Sequence, residues 1–316
     1  MKYDLPGSVH LSDVLKETKE SIEARRNKNT KIVKSKWPVF DRSFGGGLEI
    51  GTNLIIGARP KVGKSAFSSI LTNDILEMNI DPNLVILNFN WEMTNEQQGM
   101  RFFSNKIGKS VSELKSSRYK WDDPSTFKYK LDDKSLLELS SIIDKHKELP
   151  IYFFDVSKNT REILTIIDKV KFLNEEANII TIFDHTRLVT KTNEKSEEEK
   201  ITSLFMMGNQ IKKMGCMNIF ISQLNRQLDN DIISRGYRAP FSNDLFGADS
   251  ALQFADNMIL LHRPEIYKVD SWEYGDDEIK TERKMWGEVV KARDASEGVM
   301  VFDVDLANNR ITQKDE

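Results

Sequence analysis

The chain has one cysteine and four histidines in 316 residues, and its charges nearly cancel, leaving a net −3. With Cys216 alone, neither an intramolecular disulfide nor a cysteine-rich zinc site can form, which fits a reducing compartment. His10, His146, His185 and His262 are scattered, without the close spacing of metal ligands. No apolar run approaches the ~20 residues of a membrane span, and the N-terminus lacks the apolar core of a secretory signal. A soluble, cytoplasmic protein with no membrane partner is expected. The balanced charge supplies no long-range attraction to nucleic acid, so such a partner would need a local basic site.

What is present centres on residues 53–78. Asn53-Leu-Ile-Ile-Gly57 reads as a strand, Ala58-Arg59-Pro60-Lys61-Val62-Gly63-Lys64-Ser65-Ala66 as a phosphate loop, and Phe67, Ile70, Leu71, Ile75 and Leu76 continue at helical spacing. Such a loop wraps a phosphate chain with backbone N–H groups, adds a lysine point charge and places a hydroxyl on Mg²⁺. The general pattern opens on Gly, where this chain has Ala58 preceded by Gly57. A chance Gly-Lys-Ser turn is the plain alternative; the strand before and the helix after argue against it.

Around this element, apolar runs that read as strands alternate with helical patterns. Leu84–Asn90, Ile151–Phe154, Asn178–Asp184 and Met217–Gln223 are the strands; 94–107, 161–173 and a segment leading to Gly215 are the helices. Asn257–Leu261, Gly287–Ala292 and Gly298–Val304 read as closing strands, and 225–243 as a long polar loop. The order implies an α/β fold with a mainly parallel central sheet covered on both faces. Residues 109–148 read as an insertion with one helix around Leu136–Ile143. Ahead of the domain, Leu11, Val14, Leu15, Thr18 and Ile22 mark an amphipathic helix, followed by a basic tether at 25–31. Periodicity shows an apolar face but not whether this chain or a neighbouring copy buries it.

Ligands of open α/β sheets sit at the carboxyl ends of the strands. Asp184 is placed to hold Mg²⁺ together with Ser65, or else to cap the next turn. Glu92 follows a strand, where a carboxylate can deprotonate a water aligned on the γ-phosphate. Gln223 is placed to sense that phosphate, or is a solvated loop residue. Lys291 and Arg293, two apart on a strand, share a face and can reach a neighbour's site; the plain alternative is an edge protected by charge.

These ordered motifs resemble the RecA-fold motor domain of DnaB-type replicative DNA helicases of bacteria and phages, over most of residues 10–304. Gly57-Ala-Arg-Pro-Lys-Val-Gly-Lys-Ser-Ala-Phe67 is similar to that family's phosphate loop, Ala58 included, and Trp91-Glu92-Met93-Thr94 with Arg101 to its Leu-Glu-Met-Ser segment. Ile221-Ser-Gln-Leu-Asn-Arg226 matches its Ser-Gln-Leu-Asn-Arg, and Lys291-Ala-Arg293 its Lys-x-Arg element. The resemblance implies a RecA-like P-loop NTPase core using ATP and Mg²⁺. Glu92, Lys64, Gln223, Arg293 and Lys291 would be catalytic, and residues 58–66 with Arg101 would bind nucleotide. It further implies a homo-hexamer with ATP sites between subunits, moving 5′ to 3′ on single-stranded DNA in replication, with a primase or helicase loader as further partner.

Residues 1–36 would be the linker helix and tether, and 37–316 the motor. By this resemblance the chain is expected to begin at the linker, without the family's N-terminal primase-recruiting domain. In Ser242-Asn-Asp-Leu-Phe-Gly-Ala-Asp-Ser250, similar to a DNA-contacting loop, Phe246 stands where the family has arginine and Asp249 where it has glycine. Gly247, Asp249 and Phe246, with Arg235 and Arg238 nearby, are the expected DNA contacts. The departures leave an alternative function, a RecA-fold DNA-associated ATPase that assembles on nucleic acid without unwinding it. A small-molecule phosphotransferase would lack the intersubunit Lys-Ala-Arg element.

Overall fold

The computed structural model describes residues 8–26, 31–79, 81–115, 117–118, 128–129, 131, 133–293 and 298–313. The chain forms two compact units, Met1–Ile32 and Val33–Glu316. In the first, helix α1 (Leu11–Arg26) has Leu11, Val14, Leu15 and Ile22 exposed, with Lys19 paired to Glu23 one turn on. Residues 27–30 of the expected tether lie outside the described residues.

The second unit is built on nine strands: β1 (Asn53–Ala58), β2 (Leu84–Asn90), β3 (Ile151–Phe154), β4 (Asn178–Asp184), β5 (Cys216–Gln223), β6 (Asn257–His262), β7 (Lys284–Ala292), β8 (Gly298–Asp305) and β9 (Arg310–Thr312). Their order is β9-β8-β7-β6-β1-β5-β4-β2-β3. From β6 to β3 every pairing is parallel, whereas β7, β8 and β9 are antiparallel additions. The short helix α2 (Pro38–Ser43) precedes β1, and its Phe40 is buried. The larger helices are α3 (Lys64–Met78), α4 (Asn95–Ile107), α5 (Asp133–His146), α6 (Thr160–Leu173) and α7 (Glu197–Lys212).

Alternation along the strands divides the interior in two. Leu54, Ile56 and Ala58 of β1 face one core with Phe67, Trp37 and Phe302, while Ile55 faces the other with Phe89, Phe183 and Phe220. In that second core, phenylalanines in register on β3, β2, β4 and β5 form a stacked ladder. Phe154–Phe89, Phe89–Phe183 and Phe183–Phe220 have ring centroids 4.7, 5.2 and 5.1 Å apart. The rungs lock the register of β4 and β5, which end in Asp184 and Gln223, and of β2, which ends two residues before Glu92.

Three elements depart from the sequence reading. The polar segment 225–243 contains helix α8 (Gln227–Arg235), because Leu228 and Ile232, four apart, bury one stripe. Ala248–Phe254 forms a further helix, α9, and Ser271–Tyr274 pairs with Asp277–Lys280 in a hairpin. Within 109–148 a short helix, Val111–Lys115, precedes α5, which packs against α4; residues 116, 119–127, 130 and 132 lie outside the described residues. Among the described residues no helix is long and apolar enough to cross a membrane.

The ladder ends against α7 at Gly208, where an added Cβ would stand 2.4 Å from the Phe220 ring. Ala favours a helix over Gly by up to about 1 kcal/mol, but overpacking a filled core costs about 1–3 kcal/mol. Gly208→Ala is therefore expected to lower the urea midpoint despite its better helix propensity; an unchanged or higher midpoint would show that Phe220 has room to move.

Candidate active site at the strand ends

The phosphate loop is shaped by backbone conformations few residues tolerate. Gly63 has φ +115°, and a Cβ there would also approach the Leu306 side chain at 3.1 Å. Lys61 adopts φ +70°. Gly63 caps α3 without offering a side-chain acceptor, so the first N–H groups of that helix are free to meet an anion.

Strand register gathers the rest. Ala58 lies beside Gln223, Asp184 beside Ile221, and Asn90 beside Asp184. The carboxyl ends of four adjacent strands, β1, β5, β4 and β2, thus open on one cleft of about 810 Å³. Arg59, Pro60, Lys61, Gly63, Lys64, Ser65, Ala66, Glu92, Arg101 and Gln223 line it. His185, Ser110, Leu306 and Asn309 also line it; nothing in the sequence had marked Ser110, Leu306 or Asn309, which tertiary folding brings in from afar. Two expected nucleotide residues are placed differently: the Ala58 and Val62 side chains are buried in the core and leave only their backbone to the loop.

Electrostatics centre on Lys64. Its Nζ lies 3.6 Å from Glu92 and 3.8 Å from Asp184. Asp184 is buried, and neither carboxylate oxygen has a hydrogen-bond partner. Burial holds its pKa above the ordinary value; Lys64 pulls the other way, Glu92 adds to the rise, and Ser65 and Arg101 lower it. Arg101 faces both Asp184 and Glu92, and its own pKa is depressed by burial. Burial and Lys64 push the His185 pKa down to about 4, leaving the ring neutral near pH 7. No group of three or more His, Cys, Asp or Glu forms a metal cage among the described residues. The donor set does fit Mg²⁺, which takes one or two carboxylates and keeps waters and substrate phosphates. Asp184, with its two orphaned oxygens, and Ser65 are the residues that would hold it.

Other candidates are engaged elsewhere. Arg59 forks onto Asp229 of α8 and donates to the Leu224 carbonyl at 2.7 Å. Arg238 is clamped by Asp244 at 2.6 and 2.8 Å and by Asp231 at 3.0 Å, so its charge is engaged within the chain. Phe246 packs against the second core with the Arg187 guanidinium 4.5 Å over its ring. Gly247, with φ +71°, caps α9, whose first turn carries exposed Asp249; Arg235 is exposed at the end of α8. Lys291 and Arg293 lie at the other end of the sheet. Ala292 pairs with Asn257, which pairs with Leu54 at the start of β1, whereas the phosphate loop follows Ala58. Asp294, the residue after Arg293, lies outside the described residues.

A carboxylate whose pKa is raised on folding stabilises the protein below its unfolded value of 3.8, and that stability is lost as pH rises through the raised value. Asp184→Asn removes this loss. The nucleotide-free variant is expected to melt a few degrees above the parent at pH 8, with the gap closing toward pH 4, while Mg²⁺ and nucleotide raise the melting temperature of the parent alone. A variant melting below the parent at pH 8 would contradict the account of a carboxylate whose pKa is raised by burial.

Residues 33–310 match the DnaB-like helicase C terminal domain family. The chain is 26% identical over 249 residues to the replicative DNA helicase DnaB of Helicobacter pylori (strain ATCC 700392 / 26695), covering 77% of this chain and 46% of that protein. It is 30% identical over 220 residues to a probable replicative DNA helicase of Trieres chinensis, covering 68% of this chain and 44% of that protein. The chain thus spans about half the length of the curated relatives it matches. Among solved structures, one described as an ATPase domain superposes with a TM-score of 0.77 at 19% identity, over 98% of this chain and 100% of that one. A DnaB-like replicative helicase, solved with attention to its interactions with primase, gives 0.76 at 19% identity, over 99% of this chain and 68% of that one. With the family match spanning most of the 316 residues and the RecA-like fold shared with both solved structures, the chain belongs to the DnaB-like helicase C-terminal domain family.

Proposed function

We propose that the chain is an ATP-hydrolysing motor that drives DNA unwinding, assembled as a ring of identical subunits with a site at each interface. In this reading the N–H groups of 63–66 and Lys64 grip the β- and γ-phosphates of ATP. Mg²⁺, held by Ser65 and Asp184, would neutralise phosphate charge when bound. Lys64 lies within ion-pair distance of Glu92 and Asp184 in the free chain. Transfer of its ammonium to a triphosphate releases Glu92 to take a proton from the attacking water. Gln223 meets the γ-phosphate through its amide, and Arg101 balances the carboxylates of Glu92 and Asp184.

The observation that carries the intersubunit part is the placement of Arg293. Leu54 and Ala58 are four steps apart on β1, so strand rise alone separates the two ends by about 13 Å. Arg293 is thus remote from its own phosphate loop, and a role in hydrolysis has to be exercised on a neighbour. By family resemblance the ring has six subunits and moves 5′ to 3′ on single-stranded DNA, with a primase or loader as further partner.

The engagement of Arg238 and Phe246 inside the subunit favours one competing reading, a DNA-associated ATPase of the same fold that assembles without unwinding. Forked DNA with a 5′ or a 3′ tail separates the two: strand displacement dependent on the 5′ tail supports the motor, and single-strand-stimulated hydrolysis without displacement supports the competitor.

Lys64→Ala is expected to abolish hydrolysis. Arg293→Ala should lower kcat by roughly 10³-fold with nucleotide affinity kept, the scale of lost arginine fingers. Mixing Arg293→Ala with Glu92→Gln under subunit exchange should restore hydrolysis, because some interfaces then combine an intact Glu92 with an intact Arg293. No recovery would remove support for a shared site.

A further inference from the structure

Beyond the phosphate cleft, a polar cluster at the opposite end of the sheet surrounds Asp256, the residue preceding β6. It is 2% exposed. Its Oδ1 accepts from Arg293 Nη1 at 2.5 Å and from Lys212 Nζ at 3.1 Å; its Oδ2 accepts from Lys212 Nζ at 2.8 Å and from the Asn53 backbone N–H at 2.9 Å. The Asp256 N–H donates in turn to the Asn53 carbonyl at 3.0 Å. Four acceptor contacts nearly saturate the carboxylate, and two of its partners, β1 and the last residue of α7, are parts of the rigid frame.

Arg293 is the odd member. Its side chain is 67% exposed, and its described side-chain contact uses Nη1 alone. Lys212 already compensates the buried charge, and exposed ion pairs contribute little to stability. What the contact does supply is a fixed root for a long, otherwise mobile side chain, with the rest of its donor fork left over. Nearby, Lys291 donates to the Leu252 carbonyl at 2.6 Å, and the Arg293 N–H reaches Asn257 Oδ1 at 3.4 Å, so the strand end is held as well.

We propose that Asp256 is a positioning residue for Arg293: it anchors the guanidinium to the start of β1 so that the remaining donors are presented to the triphosphate of an adjacent copy. This rests on the shared-site reading above. It also gives β1 a part at both ends, since the strand that carries the subunit's own phosphate loop after Ala58 carries the root of its outgoing arginine at Asn53.

The test uses the full chain and steady-state hydrolysis. Asp256→Asn is expected to lower kcat by roughly 10–100-fold, the scale of a misplaced catalytic group, with KM for ATP within about threefold. Asp256→Glu should recover part of the loss. In an Arg293→Ala background, Asp256→Asn should remove nothing further from kcat, and Asp256→Asn mixed with Glu92→Gln should regain activity as the Arg293→Ala mixture does. If Asp256→Asn does not fold, Lys212→Met/Asp256→Asn removes the buried charge together with its counter-ion and is judged by the same criteria. Additive losses in the Arg293→Ala background, or a raised KM with kcat kept, would overturn the proposal. The Arg293→Ala mixture is run alongside: its failure contradicts the shared site itself, whereas its success beside a failed Asp256→Asn mixture contradicts only the role given to Asp256.

Discussion

The structure depends on the in-register parallel pairing of β1, β5, β4 and β2. Slipping any one of these strands by a single residue would turn its buried side chains to the opposite face. It would also move Gln223 or Glu92 off the cleft, or buried Asp184 away from Lys64. The phenylalanine ladder through Phe154, Phe89, Phe183 and Phe220 makes such a slip costly, because each ring stacks on the next strand's ring. Packing deep in the sheet therefore sets the geometry of polar groups at its rim, and Gly208 is small because a ring must pass beneath α7.

Several charged side chains around the sheet are paired internally. Arg59, Arg238 and Lys212 are tied to Asp229, Asp231, Asp244 and Asp256 within the subunit. Lys64 bridges two carboxylates that repel each other, and neither oxygen of buried Asp184 accepts a hydrogen bond. This is an arrangement poised toward a cationic ligand on one side and an anionic one on the other. Arg235 and Arg293, in contrast, remain largely exposed. A chain with almost no net charge can therefore still present exposed cations at defined places, one of them, Arg293, rooted on Asp256.

The central parallel strands were legible because buried strands are short continuous apolar runs, and Asn178–Asp184 reads that way to its last residue. The phosphate loop was legible for a related reason: Gly63, Lys64 and Ser65 act through a local conformation that a short motif specifies. What escaped reading depends on distant partners. Helix α8 looked like a polar loop because only Leu228 and Ile232 are buried in it, and Asp229 is bound to Arg59, 170 positions away. Arg238 looked free because its carboxylate partners, at 231 and 244, gain meaning only once the chain turns back. Ser110 and Asn309 enter the cleft by tertiary folding, with no local signature.

The central claim is that one copy grips the triphosphate and the next supplies Arg293. The most direct measurement is the structure of the assembled protein with Mg²⁺ and a non-hydrolysable ATP analogue. The account requires the Arg293 guanidinium of one subunit within hydrogen-bond distance of the γ-phosphate held by the adjacent subunit's Lys64. An assembly in which every Arg293 lies remote from all bound nucleotide would contradict it.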